Sequence, residues 1–267
     1  MVNKDLNGNG IPIIRLKGGL PIYNAIQNHP DLIPYLKSLN PPKLDFKNRQ
    51  ALLLYNTYIA KDVYGLDIVL EHEQAIIPTP ELRYNFLLNV IKPNSTIIEL
   101  GTGASAIIAM LAAKHFNAQV YATEIDPLYI RIAKENLIRN KLDNLVSIID
   151  SKGKILEGVF PSDFKVDYII SNPPFYDKVR FTKVLWGGKE NELVSGNNGE
   201  SFISSMIREG FRLLKKEGTI AFLISNTRPN ILNCIEQLVE SLNCKRDIIC
   251  LKAGTRTRYI YRIRKNN

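Results

Sequence analysis

An α/β fold is what this sequence predicts: a seven-stranded, mostly parallel sheet with helices on both faces, plus a small helical extension at the N-terminus. Three observations carry that reading. From Thr96 onward, short apolar runs alternate with longer amphipathic ones, the pattern of a parallel sheet covered on both sides. A glycine turn, Gly101-Thr102-Gly103, joins the first of these runs to a helix. An acid, Glu124, ends the second strand roughly 20 residues further on, the spacing of nucleoside-binding strand–helix–strand units.

The elements follow in order. Residues 1–45 lack steady periodicity. Gly8-Asn9-Gly10 and Gly18-Gly19 are loop signals, Pro30 to Leu36 reads as one short helical turn, and Pro41-Pro42 is a breaker. Asn48 to Tyr64 is predicted to be an amphipathic helix, with Leu52, Leu53, Tyr55, Ile59 and Val63 on its apolar face and Gly65 closing it. Pro78-Thr79-Pro80 stiffens the loop before a helix from Glu81 to Val90. Ser95 to Leu100 is the first strand of the alternating region, and its helix runs to His115. A second strand, Val120 to Thr123, reaches Glu124; Asp126 is then an N-cap with Pro127 at the first position of a helix to Lys141. Further strands are predicted at Leu145 to Ile149, Val166 to Ile170, Gly218 to Ile224, Arg246 to Leu251 and Tyr259 to Arg264. Helices fall at Phe202 to Leu214 and Pro229 to Leu242. The loop from Tyr176 to Gly199 is long, rich in Gly and Asn, and basic, with Lys178, Arg180, Lys183 and Lys189; long loops in compact domains are usually functional. Two units are expected, an arm with a helical module over residues 1–75 and a catalytic domain over residues 76–267.

With 267 residues, 45% of them hydrophobic, the chain can bury the core of one domain and a small extension. No apolar run is long enough to span a bilayer, and the polar start is not a signal peptide, so no membrane partner is expected. Cys234, Cys244 and Cys250 are odd in number and lack C-x-x-C spacing, which points to reduced thiols and a cytoplasmic location. His29, His72 and His115 show no metal-ligand spacing, and no metal site is expected. The net charge of +9 and pI near 9.3 favour a polyanionic partner. After Asp247 no acid remains, while Lys252, Arg256, Arg258, Arg262, Arg264 and Lys265 interleave with Tyr259 and Tyr261. Cations neutralise phosphates and rings stack on unpaired bases, so nucleic acid fits this tail, with a solvated terminal strand of alternating basic side chains as the bland alternative. Lys43, Lys47 and Arg49 in the arm, the loop cations Lys178, Arg180, Lys183 and Lys189, and Arg256 and Arg258 in the tail are the candidate contacts. Oligomeric state leaves no readable trace.

Two motifs carry chemistry. In Gly101-Thr102-Gly103-Ala104-Ser105-Ala106, Gly101 permits the tight turn, Gly103 lets backbone approach a ligand, and the small Ala106 lets helix pack on strand. Glu99 completes an E-x-G-x-G pattern that favours S-adenosylmethionine over a dinucleotide. The second motif, Asn172-Pro173-Pro174-Phe175, follows a buried strand. Two prolines remove two N–H donors and fix φ, making a stiff shelf. On it the Asn172 side-chain oxygen and a nearby carbonyl can accept both hydrogens of one planar amino group, while Phe175 stacks on the molecule that bears it. An ordinary turn after a strand is the bland alternative.

Taken together, these segments resemble the class I methyltransferases that make N6-methyladenosine in RNA, the family of the bacterial 23S rRNA adenine-N6 methyltransferase and the eukaryotic methyltransferase-like protein sixteen. The resemblance covers His29 to the C-terminus. Leu44-Asp45-Phe46 and Asp62-Val63-Tyr64-Gly65-Leu66 are similar to its N-terminal module. Ile77-Pro78-Thr79-Pro80-Glu81-Leu82-Arg83 resembles a stretch whose arginine reaches the cofactor. Gly101-Thr102-Gly103-Ala104-Ser105 is the family's glycine turn, and Thr123-Glu124-Ile125-Asp126 is similar to its ribose-binding segment. Trp186-Gly187-Gly188-Lys189 and Gly254-Thr255-Arg256-Thr257-Arg258-Tyr259 resemble later family segments. One departure stands out: Gly196-Asn197-Asn198-Gly199 replaces an acidic motif.

The resemblance implies a Rossmann-like class I methyltransferase that binds S-adenosylmethionine through Arg83, Glu99, Gly101, Thr102, Gly103, Ser105, Glu124, Ile125, Asp150, Ser151 and Asn172, and acts through Asn172, Pro173, Pro174 and Phe175. A protein glutamine amide or adenine in DNA offers the same planar amine, and a non-catalytic RNA-binding protein with this fold is a further alternative.

Overall fold

The computed structural model describes residues 5–6, 10–16, 19–70, 75–173, 199–225, 229–253 and 256–266. Its strands are β1 (Asp5–Leu6), β2 (Pro12–Arg15), β3 (Leu36–Leu39), β4 (Pro42–Leu44), β5 (Thr96–Leu100), β6 (Gln119–Glu124), β7 (Val146–Asp150), β8 (Val166–Ser171), β9 (Leu214–Ser225), β10 (Cys244–Ala253) and β11 (Arg256–Lys265). Its α-helices are α1 (Ile22–Asn28), α2 (Arg49–Tyr64), α3 (Pro80–Leu88), α4 (Ile107–Phe116), α5 (Pro127–Arg139), α6 (Glu200–Gly210) and α7 (Pro229–Ser241); a 3-10 helix spans Pro30–Tyr35.

The main sheet among the described residues has nine strands in the order β1-β2-β10-β11-β9-β8-β5-β6-β7. The seven expected strands are all present. The correction is at one edge, where β2 pairs parallel with β10 (Ile13 opposite Cys250, Ile14 opposite Leu251) and β1 pairs antiparallel with β2. Strands of two and four residues give too few alternations to be read from a sequence. Strands β7, β6, β5, β8 and β9 run parallel, and β11 is reversed between β9 and β10.

Each face of the sheet carries its own apolar layer. On one side Ile59, Phe86, Leu87, Met110, Leu111 and Leu137 from α2 to α5 pack on Ile97, Val120, Ile170 and Leu223. On the other, Ile203, Met206 and Ile207 of α6 and Ile235 of α7 pack on Ile98, Ile169, Phe222 and Ile263. Fully buried aliphatic side chains of this kind stabilise by about 1.5–3 kcal/mol each.

The N-terminal module has a small core of its own, Ala25, Leu32, Leu44 and Ala51. It includes two elements the periodicity does not show, the short α1 and the β3–β4 hairpin, whose proline pair reads as a breaker. Helix α2 begins where the sequence places it, because Asn48 Oδ1 accepts from the amides of Gln50 (2.9 Å) and Ala51 (3.2 Å). Helix α5 likewise starts on Asp126, whose carboxylate accepts from Leu128 N at 2.9 Å.

Candidate active site

The chain leaves β5 toward β6 and β7, then returns to place β8 on the other side of β5. That reversal is a topological switch point, where open α/β sheets open a crevice at the carboxyl ends of their strands. Leu100 and Ser171 are register partners in the β5–β8 ladder, so Gly101 and Asn172 leave the sheet side by side. The buried Ser171 hydroxyl donates to Leu100 O at 2.9 Å and ties the two strand ends together. Pro173 is buried and Asn172 half-buried; the Asn172 carboxamide makes no hydrogen bond among the described residues. Pro174 and Phe175 lie outside those residues.

The glycine turn is held from beneath. Gly101 and Gly103 have φ of 68° and 67°, left-handed values that favour glycine. A Cβ on Gly101 would meet nothing within 4 Å, so the turn faces open space. Thr102 N donates to Thr123 O at 3.0 Å, and Gly103 N donates to Glu124 Oε2 at 2.9 Å. Glu124 is buried at the end of β6, and its Oε1 also accepts from Ile125 N (2.8 Å) and Asp126 N (3.0 Å). Three backbone donors fix this carboxylate, and an ionised carboxylate has about four lone-pair sites, which leaves capacity for a ligand hydroxyl.

Glu99 is 1% exposed, and burial pushes its carboxyl up to about 8. The Thr102 hydroxyl, which donates to Glu99 Oε2 at 2.9 Å, and Arg83 oppose that shift, while the charge of Glu124 adds to it. Arg83, half-buried on α3, is lowered to about 10, first by burial, then by Arg258, with Glu99 opposing. The structure thus brings Arg83, Glu99 and Arg258 into one electrostatic neighbourhood. Arg258 lies opposite Ser225 in the β11–β9 ladder and donates to Thr257 O at 3.0 Å.

On the β6–β7 side, Ile125 keeps 46% of its surface exposed, with Gly153 close by. Ser151 is buried and donates its amide to Glu124 O at 2.9 Å, while exposed Asp150 accepts from Lys152 N at 2.8 Å. Ser105 is buried within the turn. Open space above Gly101, a fixed carboxylate at Glu124 and an exposed aliphatic side chain beside it fit the ribose and base of a nucleoside cofactor.

Among the basic residues, Lys43 and Lys47 are exposed beside the β3–β4 hairpin. Arg49 donates through Nη2 to Ala75 O at 2.8 Å, tying α2 to the segment that enters α3. Lys178, Arg180, Lys183 and Lys189 fall outside the described residues, as does the side chain of Arg256. No cluster of three or more metal-ligating side chains occurs among the described residues, and no described helix is long and apolar enough to cross a membrane.

One contact to the turn has no counterpart in the sequence reading. Asn136 of α5, 1% exposed, donates to Ala104 O at 3.3 Å. Its signal was available: it sits on the apolar stripe of Tyr129, Ile132, Ala133 and Leu137, where a carboxamide needs a reason.

Residues 15–223 match a family described as RNA methyltransferase. A Methanocaldococcus jannaschii protein, whose methyltransferase name is itself an assignment, is 38% identical in an alignment 258 residues long that covers 91% of this chain and 97% of that one. The U6 small nuclear RNA (adenine-(43)-N(6))-methyltransferase of Drosophila melanogaster is 29% identical over 50% of this chain and 48% of its own length. A release factor glutamine methyltransferase of Fusobacterium nucleatum is 30% identical over 61% of this chain and 47% of its own. The chain therefore spans about half the length of these last two relatives. The human METTL16 catalytic domain, solved with a MAT2A 3′UTR hairpin, superposes with a TM-score of 0.77 at 20% identity, over 93% of this chain and 92% of that one, and so shares the fold.

Proposed function

The chain belongs to the family of RNA methyltransferases, and on that premise we propose that it methylates the N6 amine of an adenosine in RNA, with S-adenosylmethionine as donor. The observation that carries this reading is the β5–β8 register, which sets Asn172 beside the open glycine turn. The Drosophila relative bears that acceptor in its name.

The cofactor supplies an electrophilic methyl group on a sulfonium sulfur. Glu124 would hold its ribose hydroxyls, Arg83 its carboxylate, and Ile125 its base. The N6 lone pair of adenine is delocalised into the ring and is a poor nucleophile. Asn172 Oδ1 and the Pro173 carbonyl, by accepting both amino hydrogens, favour a pyramidal nitrogen and aim its lone pair into the crevice. The methylated nitrogen is cationic and acidic, so no strong side-chain base is required. Phe175 would stack on a base that is single-stranded or flipped from its helix. Lys43, Lys47, Lys178, Arg180, Lys183, Lys189, Arg256 and Arg258 would contact the RNA backbone.

The test supplies labelled cofactor with RNA, DNA or protein. Label in N6-methyladenosine of the RNA arm is expected; label in protein glutamine or DNA adenine alone overturns the acceptor. Asn172→Ala should lower kcat by about a hundredfold or more, the scale of losing an aligned polar partner of the transition state. Its cofactor Kd should stay within about threefold, since the turn and Glu124 remain. Retained turnover in that variant removes Asn172 from the mechanism.

A further inference from the structure

Helix α5 carries Asn136, and Asn140 caps its C-terminus one turn on; both reach outward to the segment that links the N-terminal module to the catalytic domain. Asp67 N donates to Asn140 Oδ1 at 2.8 Å, and Asn140 Nδ2 donates to Asp67 O at 2.7 Å. Val69 N donates to Asn136 Oδ1 at 2.9 Å, and Asn136 Nδ2 donates to Val69 O at 3.0 Å. The match is geometric. Four residues of helix rise about 6.0 Å, and two residues of extended chain advance about 6.6 Å. The two carboxamides therefore stand in for the peptide groups of a neighbouring strand, and they satisfy backbone groups of a segment whose side chains Leu66 and Ile68 are buried.

The two asparagines then differ. The Asn140 amide also donates to Asn136 O of its own helix at 2.8 Å and to Met110 Sδ at 3.6 Å. The Asn136 amide also donates to Ala104 O in the glycine turn, so both amide hydrogens and the oxygen of this buried side chain are used. Beyond Leu70 the chain returns at Ala75, which is fully buried against Ala104, Tyr129 and Ile132. Ile77 follows, also buried, and then α3 with Arg83.

We infer that Asn136 is a positioning residue for cofactor binding: it fixes the glycine turn from behind and locks to it the strap leading to Arg83. The turn needs such a support, because Ala106, a non-glycine residue, holds a left-handed φ of 49°. Asn136 touches no reacting atom; it acts through the main chain of Ala104. The inference rests on the crevice being the S-adenosylmethionine site.

The test compares Asn136→Ala, Asn136→Ser and Asn140→Ala in the full chain, with binding of S-adenosylmethionine by calorimetry and steady-state kinetics below each variant's melting point. Asn140→Ala loses the strap contacts but none to the turn. Asn136→Ala should raise cofactor Kd and KM by about tenfold, the scale of one buried hydrogen bond lost, with kcat at saturation within about threefold. Asn140→Ala should leave cofactor Kd within about twofold. Asn136→Ser keeps a polar atom in the site and serves if the alanine variant fails to fold; the same rise in Kd is expected. Wild-type affinity in either folded Asn136 variant overturns the inference. So does an equal loss in Asn140→Ala, which assigns the effect to the strap alone. Absence of cofactor binding in the wild-type chain instead defeats the reading of the crevice itself.

Discussion

At the scale of single residues, the site is a set of charges placed where water cannot screen them well. Glu99 is the clearest case, because burial lifts its carboxyl to about 8 from an ordinary value of 4.5. A carboxyl raised on folding binds its proton more tightly in the native state than in the unfolded chain. Between those two values the folded protein carries the extra proton, so raising the pH through that window costs stability. The contribution is greatest below about 4.5 and is lost by about 8. We therefore expect the wild-type Tm to fall as pH rises from 5 to 9, and Glu99→Gln, neutral throughout and able to accept from Thr102, to flatten that slope. Parallel slopes in melting curves of the two proteins would remove Glu99 as the source. Arg83 tempers the effect without cancelling it, since burial outweighs the pull of its charge on Glu99.

At the scale of elements, the turn between β5 and α4 decides what the crevice can hold. Adding one methyl group at Gly101 separates two effects. The backbone cost is set by φ of 68° and should be about 1 kcal/mol. The steric cost within the protein is nil, because a Cβ there meets nothing within 4 Å. Gly101→Ala should thus fold with a modest loss in Tm yet bind S-adenosylmethionine at least about tenfold more weakly, since the methyl group enters the space a ligand needs. Calorimetry beside thermal melts reads both numbers, and unchanged binding would move the ligand away from this turn. This element was legible in the sequence because its signal is local: a strand, two glycines, a helix and an acid at fixed spacing. Asn172 was legible for the same reason, through two consecutive prolines. The support from Asn136 and the nearness of Arg258 to Arg83 were not, since each depends on residues brought together by packing over long sequence separations. The short elements, α1, β1, β2 and the β3–β4 hairpin, gave too few residues for a period to emerge.

At the scale of the whole molecule, the N-terminal segment is part of the catalytic sheet as well as of the module in front of it. Strand β2 covers the edge of β10 through the pairs Ile13–Cys250, Ile14–Leu251 and Arg15–Lys252, and Leu16 N adds a bond to Lys252 O at 2.8 Å. The chain then passes Leu20, whose carbonyl accepts from the Tyr55 hydroxyl at 2.6 Å, and enters the module that α2 anchors. Module and sheet are therefore joined by β2 at one edge, by α2 packing through Ile59, and by the segment that Asn136 and Asn140 hold beside the crevice. A chain that begins at Leu20 tests the first join without touching the others. It would leave β10 as an unpaired edge with Cys250 and Leu251 uncovered, side chains now 2% and 1% exposed. Unpaired edges of that kind recruit other strands. The truncated protein should melt several degrees lower and self-associate as its concentration rises, while keeping cofactor affinity, because no residue of β1 or β2 borders the glycine turn. Melting curves with light scattering measure the first two effects and calorimetry the third. A truncated chain as stable and monodisperse as the full one would mean that β2 rests on the sheet without holding it.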